Sequence, residues 1–276
     1  MEDKYTKVQE AATFIQTYLG DLAPSTCIVL GTGLGGLVDN VENPIFIDYS
    51  SIPHFPKSTV ESHKGQLIIG HLNGKAIFLM AGRFHYYEGY SAAQITFPVY
   101  VMKALGVEKY LASNVTGGIN PHYNAGDIVL LRDHINLHPD HPLRGKNDER
   151  LGPRFPDMME AYDQGINDEL KKIGHLHGYN IQEGVYVGLQ GPSLETPAEY
   201  KFCRIIGGDM IGMSTVPEII VGNHCGLRCA VVSIISNVCY PLNRLTKTTL
   251  EEVIQVAEKA TPKLRKLVET WVEQHA

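Results

Sequence analysis

The chain has 276 residues, of which 43% are hydrophobic and 20% are charged. This composition excludes a disordered chain, a collagen-like repeat and a coiled coil, and the length is sufficient to bury a core without disulfides or a metal. The 24 lysines and arginines against 30 aspartates and glutamates give a net charge of −6, which disfavours nucleic-acid binding but still allows a local site for a small anion.

The number and spacing of the cysteines and the length of the apolar runs indicate the cellular compartment of the protein. Five cysteines are an odd number and form no C-x-x-C pair, which argues against a disulfide framework or a zinc ribbon. No apolar run approaches the ~20 residues that a membrane helix needs. The acidic residues 1–4 lead into an amphipathic segment rather than a signal peptide. We therefore expect a soluble, cytoplasmic protein with reduced cysteines and no nucleic-acid or membrane partner.

The spacing of hydrophobic residues predicts the secondary structure of the first half of the chain. Apolar residues recur at helical intervals over residues 8–19, and Gly20 would cap that helix. Residues 27–30 are a short apolar run, which predicts a buried strand leading into the glycine-rich residues 31–36. The dipeptide Asn73-Gly74 separates two apolar runs, 66–72 and 75–80, and predicts a β-hairpin.

The second half is predicted to hold more strands and a terminal helix. Apolar runs predict strands over residues 109–113, 127–131, 184–189, 209–213 and 228–235. Thr248 and Glu251 have the spacing of a capping box, and the helix that follows should be kinked at Pro262. The stretch 134–156, rich in proline and charge, predicts a long loop of the kind that tends to be functional. Hairpin and crossover strands mixed with helices predict one α/β domain over residues 1–276, with a mixed sheet.

The glycine-rich segment after the first strand allows three interpretations. Gly31, Gly33 and Gly36 satisfy G-x-G-x-x-G, and Asp48 follows at nearly the distance of a ribose-binding acid in a dinucleotide site. The few residues before Pro44 leave no room for the crossover helix of such a site. A ligand-free turn is the second interpretation. The third is a phosphate site, favoured by Thr32 among glycines whose backbone can approach an anion closely.

An Arg-His-Tyr segment supplies further donors for an anion. If residues 82–90 stay extended, Arg83, His85 and Tyr87 project to one side. A guanidinium, an imidazole and a phenol on one face offer an oxyanion several charge-assisted hydrogen bonds. The alternative is a surface ion pair for Arg83 with core aromatics around it.

Two histidine groups invite a metal hypothesis that the sequence does not favour. Pro139 and Pro142 interrupt the spacing of the first group, which consists of His134, His138 and His141. His224 lies near Cys225 and Cys229, but the apolar strand that follows suggests that these cysteines pack as small hydrophobes. We predict no metal site.

Seven segments together carry a family resemblance that spans nearly the whole chain. They are GTGLG at 31–35, SHKG at 62–65, GRFHYYEGY at 82–90, NVTGG at 114–118, RDHINL at 132–137, GPSLET at 191–196 and GMSTVPE at 212–218. In content and order the chain resembles the trimeric purine nucleoside phosphorylases. The resemblance implies a single α/β domain around a mixed, barrel-like sheet flanked by helices, and a homotrimer with its sites at subunit borders. It also implies reversible phosphorolysis, with inorganic phosphate as co-substrate and no cofactor.

The resemblance also implies roles for individual residues. The positions that match the family's phosphate-binding residues are Thr32, His63, Arg83, His85, Val115 and Ser214. Those that match its nucleoside-binding residues are Tyr87, Glu195, Met213, Asn237 and, lent by a neighbouring subunit, Phe155. Of all these, His85, Glu195 and Asn237 are expected to be catalytic. An amide can donate to N7 of the purine, and an ionised carboxylate can accept from the N1–H that a 6-oxopurine carries. The expected substrates are therefore inosine, guanosine and their deoxy forms.

Departures from the family pattern keep other functions open. Thr32 replaces the common serine, Leu194 stands where an aromatic residue often packs on the base, and Leu250 stands where a histidine commonly contacts the 5′-hydroxyl. An apolar 5′ end would suit 5′-modified substrates such as methylthio nucleosides. A nucleoside-binding protein without turnover and the dinucleotide oxidoreductase are the alternatives from other functional classes.

Overall fold

A computed structural model describes residues 3–31, 35–57 and 64–275, so Thr32 and His63 lie outside the described residues. Within these ranges the chain forms nine strands: β1 Thr26–Leu30, β2 Glu42–Asp48, β3 Gln66–Leu72, β4 Lys75–Ala81, β5 Lys109–Gly118, β6 Ile128–Asn136, β7 Ile181–Gly188, β8 Met210–Gly212 and β9 Arg228–Val238. The α-helices are α1 Lys4–Gln16, α2 Ala92–Ile95, α3 Phe97–Ala104, α4 Gln164–Leu176, α5 Pro197–Ile205, α6 Val216–His224 and α7 Leu250–His275. Short 3₁₀ helices cover Gly35–Asn40, Tyr49–Ser51, Tyr86–Glu88 and Leu242–Arg244.

All nine strands belong to one mixed sheet that closes at one end. The order is β2-β3-β4-β1-β5-β8-β7-β6-β9, and β9 pairs again with β5. The strands from β5 to β9 therefore form a closed barrel, as the family resemblance implies, and β1 to β4 extend the sheet from β5. The neighbours β4, β1, β5 and β9 run parallel, which explains why their residues are buried apolar runs rather than alternating patterns.

Helices cover both faces of the sheet. On one face α1, α3 and α6 contribute Val8, Tyr100 and Ile219 to a core with the strands. On the other, α4 and α7 contribute Leu170 and Trp271 to a second core. No helix among the described residues is both long and apolar enough to cross a membrane.

The structure contains the predicted hairpin and the predicted first and last helices, with differences at the helix ends. The hairpin has its turn at Asn73 and Gly74, with φ of 49° and 73°. The first helix ends earlier than expected, at Gln16, and Gly20 lies in the turn that follows. The capping box of α7 is wrong by one residue, because Thr249 and Glu252, not Thr248 and Glu251, exchange the two hydrogen bonds.

The topology contradicts the dinucleotide hypothesis. The strand that follows the glycines, β2, pairs antiparallel with β3 and does not return parallel beside β1. A dinucleotide fold needs a parallel strand–helix–strand unit at this point. The segment after Gly31 is instead followed by the short 3₁₀ helix Gly35–Asn40.

Candidate active site

The candidate site forms just beyond the carboxyl ends of β1 and β4, beside the middle of β5. In the register of β1, Leu30 pairs with Ala81 of β4 and Val29 pairs with Ala112 of β5. Gly31, Arg83 and Asn114 therefore lie side by side just beyond this row. Ligands in open α/β sheets bind outside the carboxyl ends of strands, so the topology alone brings the predicted phosphate-binding segments together.

Gly31 allows two backbones to approach closely at this edge. A Cβ atom at Gly31 would lie 2.7 Å from the carbonyl oxygen of Ser113 and 2.9 Å from Cα of Asn114. The Gly31 N–H donates to the Ser113 hydroxyl at 3.3 Å. Any larger residue would separate β1 from β5 and widen the site.

Arg83 is the buried cation of the site, with only 2% of its surface exposed. Its Nη1 donates to the hydroxyls of Ser214 and Thr215 at 3.1 and 3.3 Å. Its Nε lies 3.5 Å from a carboxylate oxygen of Glu218, which is itself buried and accepts from the Tyr110 hydroxyl at 3.0 Å. Glu218 thus compensates the buried charge from behind and orients the guanidinium.

His85 is held by a carboxylate three residues further on. A single oxygen of Glu88 accepts from the His85 backbone N–H at 2.8 Å and lies 3.0 Å from Nδ1. Because a carboxylate only accepts, Nδ1 donates in this contact, which leaves Nε2 for another partner. The His85 ring stacks on Tyr87 with ring centroids 4.7 Å apart. Burial raises the pKa of Tyr87 to about 12, so its phenol stays protonated.

These side chains line a cleft of about 150 Å³. Its described lining contains six of the predicted site residues: Arg83, His85, Tyr87, Val115, Met213 and Ser214. Residues 82–90 do not stay extended throughout, because Tyr86–Glu88 forms a 3₁₀ turn that His85 and Glu88 cap. Arg83, His85 and Tyr87 nevertheless reach the same cleft.

Glu195 and Asn237 lie in a second, connected group of polar side chains. The Tyr200 side chain lies close to both the Glu195 carboxylate and the Cys239 thiol. Nδ2 of Asn237 donates to Sγ of Cys239 and to the Thr248 hydroxyl, each at 3.1 Å. The two predicted base-binding residues are therefore neighbours of the same pair, Tyr200 and Cys239. Burial raises the pKa of Glu195, because the carboxylate loses solvation.

A tight turn holds the Glu195 loop against the cleft. Gly191 has φ of 65°, and a Cβ atom there would lie 2.4 Å from Sδ of Met213 and 3.2 Å from Cδ1 of Tyr87. Only glycine fits this contact. The segment that ends in Glu195 is thereby placed beside two residues of the cleft lining.

Three hydrophobic residues that the family resemblance drew attention to are exposed to solvent in the single chain. Phe155 is 86% exposed on the long loop after β6, and Leu194 is 56% exposed beside Glu195. Leu250 is 63% exposed and lines the cleft together with Val253 from the first turn of α7. Phe155 is not part of its own subunit's cleft lining.

Two of the histidines considered for metal binding, His134 and His224, have tyrosine hydroxyls as partners. His134 pairs with the Tyr162 hydroxyl and His224 with the Tyr100 hydroxyl, both at 2.9 Å through Nδ1. Within the ranges that the structure describes, no three residues of the types His, Cys, Asp and Glu are grouped as metal ligands. All five cysteines are free and buried.

Sequence reasoning did not assign roles to several residues that support the site. Glu88, Asn114, Thr215 and Glu218 stand inside the quoted motifs, and their chemistry was a usable signal: a carboxylate three residues after a histidine predicts a capping contact. Tyr200 and Thr248 carry no local signal, because only the fold brings them to Glu195 and Asn237.

Comparison with known proteins gives this cleft its family. A sequence model described as Phosphorylase superfamily matches residues 25–273. Purine nucleoside phosphorylase 1 of Bacillus subtilis is 46% identical, with 98% of each chain covered. Isoform 2 of the Schistosoma mansoni purine nucleoside phosphorylase, solved with cytosine and ribose-1-phosphate, superimposes with a TM-score of 0.93 at 38% identity, covering 99% of this chain and 97% of that one. A Schistosoma purine nucleoside phosphorylase with hypoxanthine gives a TM-score of 0.91 at 36% identity, covering 98% and 97%.

The chain belongs to the phosphorylase superfamily, whose sequence model spans residues 25–273. Within that superfamily, the chain belongs to the purine nucleoside phosphorylases, as the near-complete coverage of both its sequence relatives and its structural neighbours shows.

Proposed function

We propose that this protein catalyses the reversible phosphorolysis of purine nucleosides, with inosine, guanosine and their deoxy forms as substrates. The base leaves as a free purine, and phosphate takes its place at C1′ to give (deoxy)ribose 1-phosphate, a reaction of purine salvage. The observation that carries the proposal is the convergence of the buried Arg83 and His85 with Ser214 in one cleft of a chain that resembles these enzymes from end to end. We assign the whole chain, residues 1–276, to one phosphorylase domain.

The phosphate half of the site supplies donors to an anion. Arg83 offers a fixed positive charge, Ser214 a hydroxyl and Val115 its backbone, and His85 can donate through Nε2 when that nitrogen is protonated. The resemblance adds Thr32 and His63, which lie outside the described residues. A phosphate held beside the sugar stabilises the positive charge that develops there as the C1′–N9 bond breaks, and one of its oxygens then forms the new bond to C1′. The reaction needs no covalent enzyme nucleophile and no cofactor.

The base half of the site stabilises the opposite charge. As the glycosidic bond breaks, negative charge develops on the purine, and the Asn237 amide can donate to N7. Glu195, when ionised, accepts from N1–H of a 6-oxopurine. Tyr87 and Met213 face the sugar between the two halves.

The exposed Phe155 supports assembly as a homotrimer. Phe155 lies on a long loop, outside its own subunit's cleft, and a phenyl ring at 86% exposure is costly unless another surface covers it. We propose that it completes the nucleoside site of a neighbouring subunit. The five free cysteines fit a reducing compartment, and we place the enzyme in the cytoplasm.

Phe155→Ala is expected to raise the KM for inosine about tenfold, because burying a phenylalanine side chain contributes about 1.5–3 kcal/mol. The KM for phosphate should stay within twofold, and Phe155→Tyr should behave like the wild type. Steady-state kinetics in both substrates measures this difference.

Co-expression tests whether Phe155 acts across subunits. Mixed oligomers of Phe155→Ala and Arg83→Ala chains contain sites that combine an intact Arg83 with an intact neighbouring Phe155. Activity above that of either parent is the expected result. If Phe155 served its own subunit, every site would carry one defect and no activity would be regained.

The proposed activity is tested by following free base from inosine, guanosine, adenosine and methylthioadenosine, with and without phosphate. We expect phosphate-dependent release, fastest from inosine and guanosine. Release without phosphate would indicate a hydrolase, and no release from any nucleoside would indicate a binding protein.

The position of Leu250 favours a second candidate, a phosphorylase of 5′-modified purine nucleosides such as methylthio compounds. Leu250 and Val253 give the cleft an apolar border at the start of α7. The same panel decides between the two candidates, because this enzyme would release base from the methylthio nucleoside faster than from inosine.

A further inference from the structure

Thr215 has a backbone conformation that threonine rarely adopts. Its φ and ψ are 70° and −55°, and the Val216 N–H donates to the Ser214 carbonyl at 2.8 Å, which together make a left-handed γ-turn. The turn stands directly before α6, yet the Thr215 side chain does not cap that helix. Strained residues persist where the surrounding structure holds them, often at functional sites.

The Thr215 hydroxyl is surrounded by donors. Its oxygen accepts from Nη1 of Arg83 at 3.3 Å and from Nδ2 of Asn114 at 2.8 Å. A hydroxyl oxygen has two lone pairs, and these two donors occupy both. The third neighbour, the Ser214 hydroxyl at 3.0 Å, must then accept the Thr215 proton.

The direction of the Asn114 amide follows from the adjacent strand. Ser233 of β9 is paired with Asn114 of β5 in the parallel register and is fully buried. Its hydroxyl donates to Oδ1 of Asn114 at 2.6 Å. Reversing the amide would deprive the Ser233 proton of this acceptor. Ser233 therefore orients Asn114 so that Nδ2 faces Thr215.

The same count of lone pairs and protons shows that the Ser214 hydroxyl has one proton left to donate. The Ser214 oxygen accepts from Arg83 at 3.1 Å and from Thr215, so both lone pairs are occupied. Its own proton can turn to the Tyr186 hydroxyl, which lies close enough to accept from the Ser214 backbone N–H at 3.2 Å, or to an anion in the cleft that Ser214 lines. A phosphate oxygen carries negative charge and is the stronger acceptor.

We propose that Thr215 is a positioning residue for the phosphate site: the hydrogen-bonded series Ser233, Asn114, Thr215 and Ser214 forces the Ser214 hydroxyl to act as a donor towards the bound anion. Each bond in the series points the same way and polarises the next. The strained turn is what places the Thr215 hydroxyl between Arg83, Asn114 and Ser214. This inference rests on the proposed function, because it assigns phosphate to this cleft.

The test measures binding of inorganic phosphate to the free protein by isothermal titration calorimetry, which needs no turnover. Thr215→Val keeps the branched shape and removes the hydroxyl, and should raise the Kd for phosphate about tenfold. Thr215→Ser keeps the hydroxyl and should stay within twofold. The KM for inosine should change less than twofold in both variants, a split that a general distortion of the site would not produce.

A double-variant comparison shows whether Thr215 acts through Ser214. In a Ser214→Ala background, Thr215→Val should add less than a twofold loss of phosphate affinity. A full additional tenfold loss would overturn the proposal. If Thr215→Val does not fold, Ser233→Ala at the far end of the series replaces it, with an expected threefold loss that also disappears in the Ser214→Ala background; no loss would overturn the proposal.

The outcomes separate this inference from the proposed function. Wild-type protein that binds phosphate but releases no base would refute phosphorolysis and leave the Thr215 comparison fully informative. Wild-type protein that binds no phosphate would overturn the inference itself.

Discussion

Arg83→Ala is expected to raise the KM for phosphate about a hundredfold and to leave the KM for inosine within threefold. The two bonds from Nη1 to Ser214 and Thr215 show that the guanidinium faces the phosphate half of the cleft. Hydrogen bonds to charged groups contribute roughly 1.5–3 kcal/mol each, and about 3 kcal/mol corresponds to a hundredfold change. Steady-state kinetics with each substrate varied in turn measures the difference.

The ion pair with Glu218 makes the loss of phosphate affinity in Arg83→Ala harder to interpret. Substituting Glu218 at the same time provides the control. Removing Arg83 leaves a buried carboxylate without its cation, and breaking a buried ion pair in this way costs about 3–5 kcal/mol of stability. Arg83→Gln combined with Glu218→Gln removes both charges and should fold well while still losing phosphate affinity. Arg265→Ala, which removes a partly exposed arginine of α7, should leave the phosphate KM unchanged. An unchanged phosphate KM in the folded double variant would refute the assignment of Arg83.

Asn237→Asp is expected to lower kcat/KM for inosine about a hundredfold and to raise the adenosine-to-inosine ratio at least tenfold. A 6-oxopurine presents acceptors at O6 and N7, to which an amide donates, whereas an ionised carboxylate only accepts. Replacing a matched hydrogen bond by an unpaired buried group costs about 1–3 kcal/mol, and the added negative charge opposes the charge that develops on the purine. A protonated carboxyl could still serve N7 while its other oxygen accepts from the 6-amino group of adenosine.

The surroundings of Asn237 make this substitution tolerable for the fold. Its Oδ1 accepts from the Ser236 hydroxyl at 2.7 Å, an interaction that aspartate keeps. The Thr248 hydroxyl, which accepts from Nδ2 in the wild type, can turn and donate to the new oxygen. Asn243→Asp adds the same charge on the exposed 3₁₀ turn and should not alter the ratio. If the ratio fails to rise in Asn237→Asp, another residue selects the base.

Local features of the sequence were sufficient to predict several elements. Asn73-Gly74 favours the left-handed turn of a tight hairpin, and the structure has that hairpin at the predicted residues. The helical spacing of Ala257, Leu264 and Trp271 predicts the buried face of α7. The short helices α3 and α6 escaped prediction, because each is only about two turns long and largely buried, so it lacks a polar and an apolar side.

Part of the chemistry of the site could also be predicted from the sequence. A threonine among glycines and the segment with Arg83, His85 and Tyr87 indicate an anion site, and the family resemblance selects which residues would bind phosphate. The contacts that orient the site depend on distant segments: Arg83 meets Glu218 from α6, and Asn237 meets Thr248. Such partners are separated by up to 135 positions, and no local spacing encodes them.

The α/β class, the hairpin, the terminal helix and the set of donors could be predicted from the sequence, because these depend on neighbouring residues and on residue chemistry. The closure of the barrel between β5 and β9, and the placement of Gly31 and Arg83 beyond β1 and β4 beside Asn114 in β5, depend on the pairing of distant strands and follow from the three-dimensional structure alone. The same is true of the γ-turn at Thr215, because a β-branched residue adopts a positive φ only where tertiary contacts hold it there.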